Sequence, residues 1–246
     1  MKKYQTLAAG NTATIYRKGS QVIKLFDQAS SQEEIEGEMA KQEFAYACGL
    51  PVPRVLGSTR INQRPGIIME YIEGESLGTL LLRHGDRLDH YLDISIELQL
   101  KIHQQEATPL ESMKTRLKRQ IQSQRLLPKG TKEALLDQLE ACIFSNRLCH
   151  GDFHLHNILQ AEDGYYMIDW ADGTAGEPKL DVCRTYLIYT QYSPDLARLY
   201  LQTYTKKSGI LEEEILAYLP ILAGARLSEG LRPRDEEKLL EFLKEI

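Results

Sequence analysis

Cys149-His150-Gly151-Asp152-Phe153-His154-Leu155-His156-Asn157-Ile158-Leu159 is the densest run of chemically capable side chains in the sequence. Apolar residues bracket it, so its polar side chains are presented between two anchored ends. Tyr165-Tyr166-Met167-Ile168-Asp169-Trp170 follows, an apolar strand closing on one carboxylate twelve residues after Asn157. Phosphoryl transfer needs such parts: a carboxylate to orient or deprotonate the attacking hydroxyl, and oxygen ligands to hold Mg²⁺ against nucleotide phosphates. Asp152 suits the first role, and Asn157 and Asp169 suit the second. Taken singly, each of the three also reads as a turn or cap residue.

Upstream, the apolar spacing is that of strands. Thr12 to Arg17 and Gln21 to Phe26 alternate around a turn at Lys18-Gly19-Ser20, which reads as a hairpin. Ser31 with Glu34 three residues on forms a capping box, and Ile35, Met39, Ala40, Phe44 and Ala47 recur at helical spacing. Gly49 suits the left-handed end of that helix, and Pro51 and Pro53 prevent its resumption. Strands near Arg54–Ser58 and Gly66–Glu73 complete a small sheet with one helix. Beyond Gly74 the pattern turns helical: Ser76–Arg83, Leu88–Gln105, Leu110–Leu126 and Thr131–Phe144 precede the polar cluster. Asp181–Tyr189, Asp195–Thr205, Leu211–Leu222 and Asp235–Lys244 follow it. The expected plan is α+β, with a β-rich N-terminal lobe and a larger, mostly helical C-terminal lobe. The polar cluster falls between helical blocks, where an active-site loop belongs.

H-G-D-x-H-x-x-N-I-L followed by I-D-W resembles the aminoglycoside phosphotransferase and choline kinase-like family, a branch of the protein-kinase-like fold. The resemblance runs along most of the chain and implies two lobes. Residues 1–73 would bind nucleotide, and residues 74–246 would carry the catalytic loop and acceptor site. Val22-Ile23-Lys24-Leu25 is similar to the strand whose lysine meets the nucleotide phosphates. Glu38, 13 residues before Pro51 of Gly49-Leu50-Pro51-Val52-Pro53, stands where the family places the glutamate that pairs with that lysine. It is therefore preferred to Glu33, Glu34, Glu36 and Glu43. Ile67 to Gly74 looks like the hinge strand, which implies main-chain hydrogen bonds from Glu70 and Ile72 to the nucleotide base, with Met69 behind it. Asp181, in Gly176-Glu177-Pro178-Lys179-Leu180-Asp181, matches a structural aspartate of the family.

What the resemblance implies is a small-molecule kinase that moves the γ-phosphoryl group of ATP or GTP to an acceptor hydroxyl with Mg²⁺. The acceptor would be an aminoglycoside or another amine-bearing compound. Two departures stand out. The nucleotide loop, Leu7 to Thr14, has Gly10 alone, which leaves Thr12 or Thr14 hydroxyls for the phosphates. Leu155 and His156 occupy positions where Pro and Gly are common.

Other readings compete. A pseudokinase or nucleotide-binding module would carry the same residues with a defect of geometry. Gly74-Glu75-Ser76-Leu77-Gly78 matches the G-x-S-x-G nucleophile elbow of serine hydrolases, but no βαβ alternation precedes it and Asn157 and Asp169 would stand idle. His150, His154 and His156 raise zinc, at a spacing that matches no common zinc arrangement. In the kinase reading His150 is a buried orienting residue. The basic run Lys114, Arg116, Lys118, Arg119 and Arg125 lacks interleaved aromatics and reads as a solvated helix face rather than a nucleic-acid surface. Glu212, Glu213, Glu214, Glu229, Asp235, Glu236 and Glu237 offer contacts to a cationic acceptor, but most read as solvated surface.

Composition agrees with this frame. The chain has 246 residues, 42% hydrophobic and 26% charged, which is ordinary for a globular protein and excludes fibrous and disordered classes. Its longest mostly apolar run, Ile215 to Ala225, is broken by Pro220 and is well short of the ~20 residues that span a bilayer. No apolar signal follows Met1, and Cys48, Cys142, Cys149 and Cys183 are scattered as free thiols would be. A cytoplasmic protein is expected. The net charge of −5 disfavours nucleic acid as a partner and permits a cationic acceptor.

Overall fold

Gly19 takes φ +66°, the left-handed backbone a two-residue hairpin turn needs, and Lys18 pairs with Gln21 across it. That hairpin seeds the first sheet of the protein, whose computed structural model describes residues 4–10 and 12–244. Strand β1 (Gln5–Ala9) runs beside β2 (Ala13–Lys18), which pairs with β3 (Gln21–Phe26). Helix α1 (Gln32–Ala47) follows, then β4 (Val55–Ile61) and β5 (Arg64–Glu70). The five strands form an antiparallel sheet in the order β1-β2-β3-β5-β4. β1 occupies residues expected to belong to the nucleotide loop, which is left with Gly10 and Thr12; Asn11 lies outside the described residues.

α1 begins where its capping box requires. Glu34 N–H donates to Ser31 Oγ at 3.2 Å, and Ser31 N–H donates back to Glu34 Oε2 at 2.9 Å. Gly49, just past the helix, has φ +75°. Ile35, Glu38, Gln42 and Ala45 are the helix's buried residues, a stripe three to four residues apart along one face. Ile35 packs with Ala13, Phe26 and Ile67 in a core on one face of the sheet. Glu38 and Gln42 lie on the same buried stripe, so the packing of α1 carries two polar side chains inward. The hinge strand stops at Glu70, three residues before the expected end.

Next come β6 (Gly74–Ser76) and α2 (Leu77–Arg83), then helices α3 (Leu88–His103), α4 (Met113–Ser123) and α5 (Lys129–Ala141), and β7 (Arg147–Cys149). A hairpin of β8 (Ile158–Ala161) and β9 (Gly164–Met167) pairs with β6. β10 (Thr174–Gly176) pairs with β7 and leads into α6 (Pro178–Tyr192) and α7 (Pro194–Ser208). The expected helix Leu211–Leu222 is two helices, α8 (Glu212–Leu216) and α9 (Leu219–Arg226). Pro220, with no N–H to give, sits in the first turn of the second, which explains the break. α10 (Pro233–Glu241) ends the regular structure.

The chain folds as two compact units. Met1–Leu88 with Leu155–Gly173 makes one, and Asp89–His154 with Thr174–Ile246 makes the other, as far as these are described. The polypeptide passes between them three times, a division that no single sequence boundary expresses. No helix among the described residues is long and apolar enough to cross a membrane.

Candidate active site

In the first unit, β3 points Lys24 to the sheet face that α1 covers. Its Nζ lies 2.6 Å from Glu38 Oε1 and 2.9 Å from Asp169 Oδ1. Burial alone would lower the lysine's pKa, but the charges of Asp169 and Glu38 outweigh it and raise the value above the ordinary one. Burial pushes the Glu38 carboxyl up against the pull of Lys24. The lysine is thus a fixed cation held between two carboxylates, one of them partly open to solvent.

The β8–β9 hairpin explains how two candidate metal ligands twelve residues apart become neighbours. Ile158 pairs with Met167, and beyond that pair Ile168 N–H donates to the Asn157 carbonyl at 3.0 Å. Asp169 is next in line. It adopts φ +65°, a left-handed conformation that non-glycine residues seldom take and that recurs at functional positions. Lys41, one helical turn beyond Glu38 on α1, donates to the Ala171 carbonyl at 2.6 Å and anchors the chain just after Asp169. The sequence reading did not single out Lys41.

A cleft of about 710 Å³ opens beside Lys24, lined in part by Thr12, Met69, Glu70, Ile72 and Asp169. Glu70 N–H is already given to the Arg54 carbonyl at 2.9 Å, so of its main-chain groups only the carbonyl remains for a base. Among the described residues no main-chain partner takes the N–H or C=O of Ile72. Met69 Sδ accepts from Gln42 Nε2 at 3.2 Å, which fixes the side chain at the back of the cleft. Thr12 follows the single glycine of the loop, and its carbonyl accepts from Asp27 N–H at 3.1 Å.

In the second unit, β7 delivers His150, Gly151 and Asp152. His150 is fully buried, edge-on to Phe153, and its Nδ1 accepts the Asp152 N–H at 3.3 Å. Gly151 has φ +80° and donates to Asp181 Oδ1 at 2.8 Å. His103, at the end of α3, meets the other Asp181 oxygen at 3.0 Å. His154 Nε2 lies 3.4 Å from Asp152 Oδ2. Burial would raise the Asp152 carboxyl; the hydrogen bond and charge of His154, with the charges of Arg184 and His150, hold it instead well below the usual carboxylate range. Asp152 is therefore ionised at neutral pH.

The competing motifs find ordinary employment. Ser76 Oγ accepts the Thr79 N–H at 3.1 Å, so the serine of G-E-S-L-G caps α2. A Cβ on Gly74 would fall on the Gln160 backbone, and one on Gly78 would meet the His156 ring, so both glycines answer to packing. His150 and His154 each turn to Asp152, by its N–H and its carboxylate respectively, whereas His156 approaches Ser76.

An antiparallel five-stranded sheet with one helix, a lysine tied to a helix glutamate and to a strand-end aspartate, and a loop carboxylate held ionised are the parts expected of a kinase-like phosphotransferase. Residues 3–243 match the model of the phosphotransferase enzyme family, and the chain belongs to that family. It is a small-molecule kinase, an ATP-dependent phosphotransferase acting on a hydroxyl group. No curated protein sequence matches it. Among solved structures, a thermostable mutant of aminoglycoside phosphotransferase APH(4)-Ia in ternary complex with ADP and hygromycin B aligns with a TM-score of 0.75. It is 14% identical, over 99% of this chain and 92% of that one. A choline/ethanolamine kinase family protein from Mesorhizobium loti gives 0.67 and 16% identity, over 98% of this chain and 88% of that one. The streptomycin-ATP-APH(2")-IIa complex gives 0.64 and 16% identity, over 99% and 91%. These structures share the fold.

Proposed function

We propose that this kinase transfers the γ-phosphoryl group of ATP, or of GTP, to a hydroxyl of a small amine-bearing acceptor, with Asp152 as the base. The observation that carries the reading is the Lys24–Glu38–Asp169 cluster, which holds a cation and a partly open carboxylate at the mouth of a nucleotide-sized cleft. Lys24, steadied by Glu38, orients the phosphates. The Glu70 carbonyl and the Ile72 N–H hold the base, Met69 lies behind it, and Thr12 offers a hydroxyl near the single glycine of the loop.

Asn157 and Asp169 offer hard oxygen donors brought together by one hairpin, which suits Mg²⁺ and not a softer metal. When bound, that ion neutralises charge on the transferring phosphates. Asp152 orients the acceptor oxygen toward the γ-phosphorus. As the new O–P bond forms and the bond to the β–γ bridging oxygen breaks, the hydroxyl proton passes to Asp152. Positioning and electrostatics supply most of the acceleration in phosphoryl transfer, so orienting the hydroxyl is the larger contribution of Asp152.

The amine-bearing acceptor is supported by the net charge of −5 and by the aminoglycosides bound to structures of the same fold. Glu214, Glu229 and Asp235 are each paired with a basic side chain, so other carboxylates would meet the amine. Four free cysteines accord with a cytoplasmic location. The test is ADP release from Mg-ATP and Mg-GTP across aminoglycosides, choline, ethanolamine, methylthioribose and small sugars. Release that depends on an amine-bearing acceptor supports the reading; release with neutral sugars alone overturns the acceptor class.

A further inference from the structure

Both main-chain polar groups of Gly151 are taken by side chains of one helix. Asp181 Oδ1 accepts its N–H at 2.8 Å, and Arg184 Nε donates to its carbonyl. The two side chains are three residues apart on α6 and so share a face. The Gly151 carbonyl belongs to the same peptide plane as the Asp152 N–H, which is itself fixed on His150 Nδ1. Arg184 thus grips the plane from which the Asp152 side chain springs, at a glycine whose φ of +80° leaves the backbone otherwise free to turn.

Arg184 is 8% exposed, and a buried guanidinium needs a counter-charge. Glu229, in the 3₁₀ turn Leu227–Glu229, supplies it at 2.7 Å from Nη1. Gln120 Nε2 at 3.4 Å and Arg226 Nε at 3.7 Å hold Glu229 in its turn. A planar fork that serves a carbonyl and a carboxylate at once is something arginine does and lysine does not.

We propose that Arg184 is a positioning residue for phosphoryl transfer, fixing the aim of the Asp152 carboxylate through the Gly151 carbonyl, with Glu229 locking its guanidinium. This rests on the reading of Asp152 as the base. Among the charged and titratable groups acting on Asp152 are His154, Arg184 and His150, so removing the Arg184 cation also removes part of what keeps Asp152 ionised.

Arg184→Lys, Arg184→Gln, Glu229→Gln and Asp152→Asn are compared for kcat and for KM of Mg-ATP and of the acceptor. Arg184→Lys keeps the charge and loses the fork. It is expected to lower kcat by about 10- to 100-fold, the scale of a slightly misplaced catalytic group, with both KM values nearly unchanged. Arg184→Gln loses the fork and the charge and should lower kcat at least as far. Glu229→Gln should lower kcat severalfold, and with Arg184→Lys it carries the test if Arg184→Gln does not fold. Wild-type kcat in Arg184→Lys, or a loss confined to acceptor KM, would overturn the proposal while an inactive Asp152→Asn left the base assignment intact. An active Asp152→Asn would remove the base assignment and the proposal with it.

Discussion

Lys24 Nζ and Asp169 Oδ1 lie 2.9 Å apart although 145 residues separate them in the chain. The contact joins the third strand of the N-terminal sheet to the end of the β8–β9 hairpin. It puts the lysine proposed to orient the phosphates beside the carboxylate proposed to hold metal.

Replacing Lys24 tests what that pairing contributes to stability. Side chains of Lys24 and Glu38 are 12% and 8% exposed. Lys24→Met strands the Glu38 carboxylate and should cost about 3–5 kcal/mol, measured by urea unfolding. Adding Glu38→Leu should recover much of this loss without restoring turnover. The raised Lys24 pKa makes the wild-type contribution complete below the lysine's unfolded value and lost as pH climbs through the folded one. Recovery of activity in the double variant would contradict the phosphate role.

Asp169→Asn keeps a side chain that tolerates φ +65° and removes only the charge. Affinity for Mg-ATP should fall by more than about tenfold, by calorimetric titration, with the fold intact by circular dichroism. An unchanged affinity would remove Asp169 from the metal site.

Asp181 should make the second unit acid-sensitive. It is fully buried, and burial would raise its carboxyl; His103, the Gly151 N–H and His150 outweigh that and lower it. A depressed carboxyl contributes stability that is present above its unfolded pKa of about 4 and lost as pH falls through the folded value. Thermal melting of the wild type should therefore drop steeply below about pH 4, whereas Asp181→Asn should start less stable and fall less steeply. Parallel curves would show that His103 and Gly151 do not hold Asp181 charged.

Ser76→Ala separates a helix cap from a nucleophile. The loss of the cap should lower stability by about 1 kcal/mol while phosphoryl transfer persists. Complete loss of transfer in a folded protein would mean that the hydroxyl reacts.

Most of the fold was legible because local signals and long-range packing agree. The Ser31 capping box, the turn glycine Gly19 and the left-handed Gly49 each stand where their chemistry places them. On the side of the Asn62-Gln63 turn the two expected strands fall short, at Ser58 against Ile61 and at Gly66 against Arg64. Asn62 and Gln63 take positive φ, 50° and 66°, and a glutamine there carries none of the usual marks of such a turn. β1 was missed because its residues are exposed and lack alternation, so partnership with β2 alone makes it a strand. Asp152, Asn157 and Asp169 were visible as a motif, and Glu38 through the family resemblance, which sets such a glutamate that far before Pro51. His103, Lys41 and Arg184 were not, since each acts by touching main chain or a buried carboxylate that only the folded chain brings near. Arg184 alone left a trace, its spacing of three from Asp181 on one helix.

The most direct test of the account is Asp152→Asn, assayed for turnover with an acceptor and for nucleotide affinity in the same preparation. A lost transition-state role predicts kcat lower by at least about a thousandfold and a Kd for Mg-ATP within about twofold of the wild type. Turnover near the wild-type rate in that variant would contradict the account.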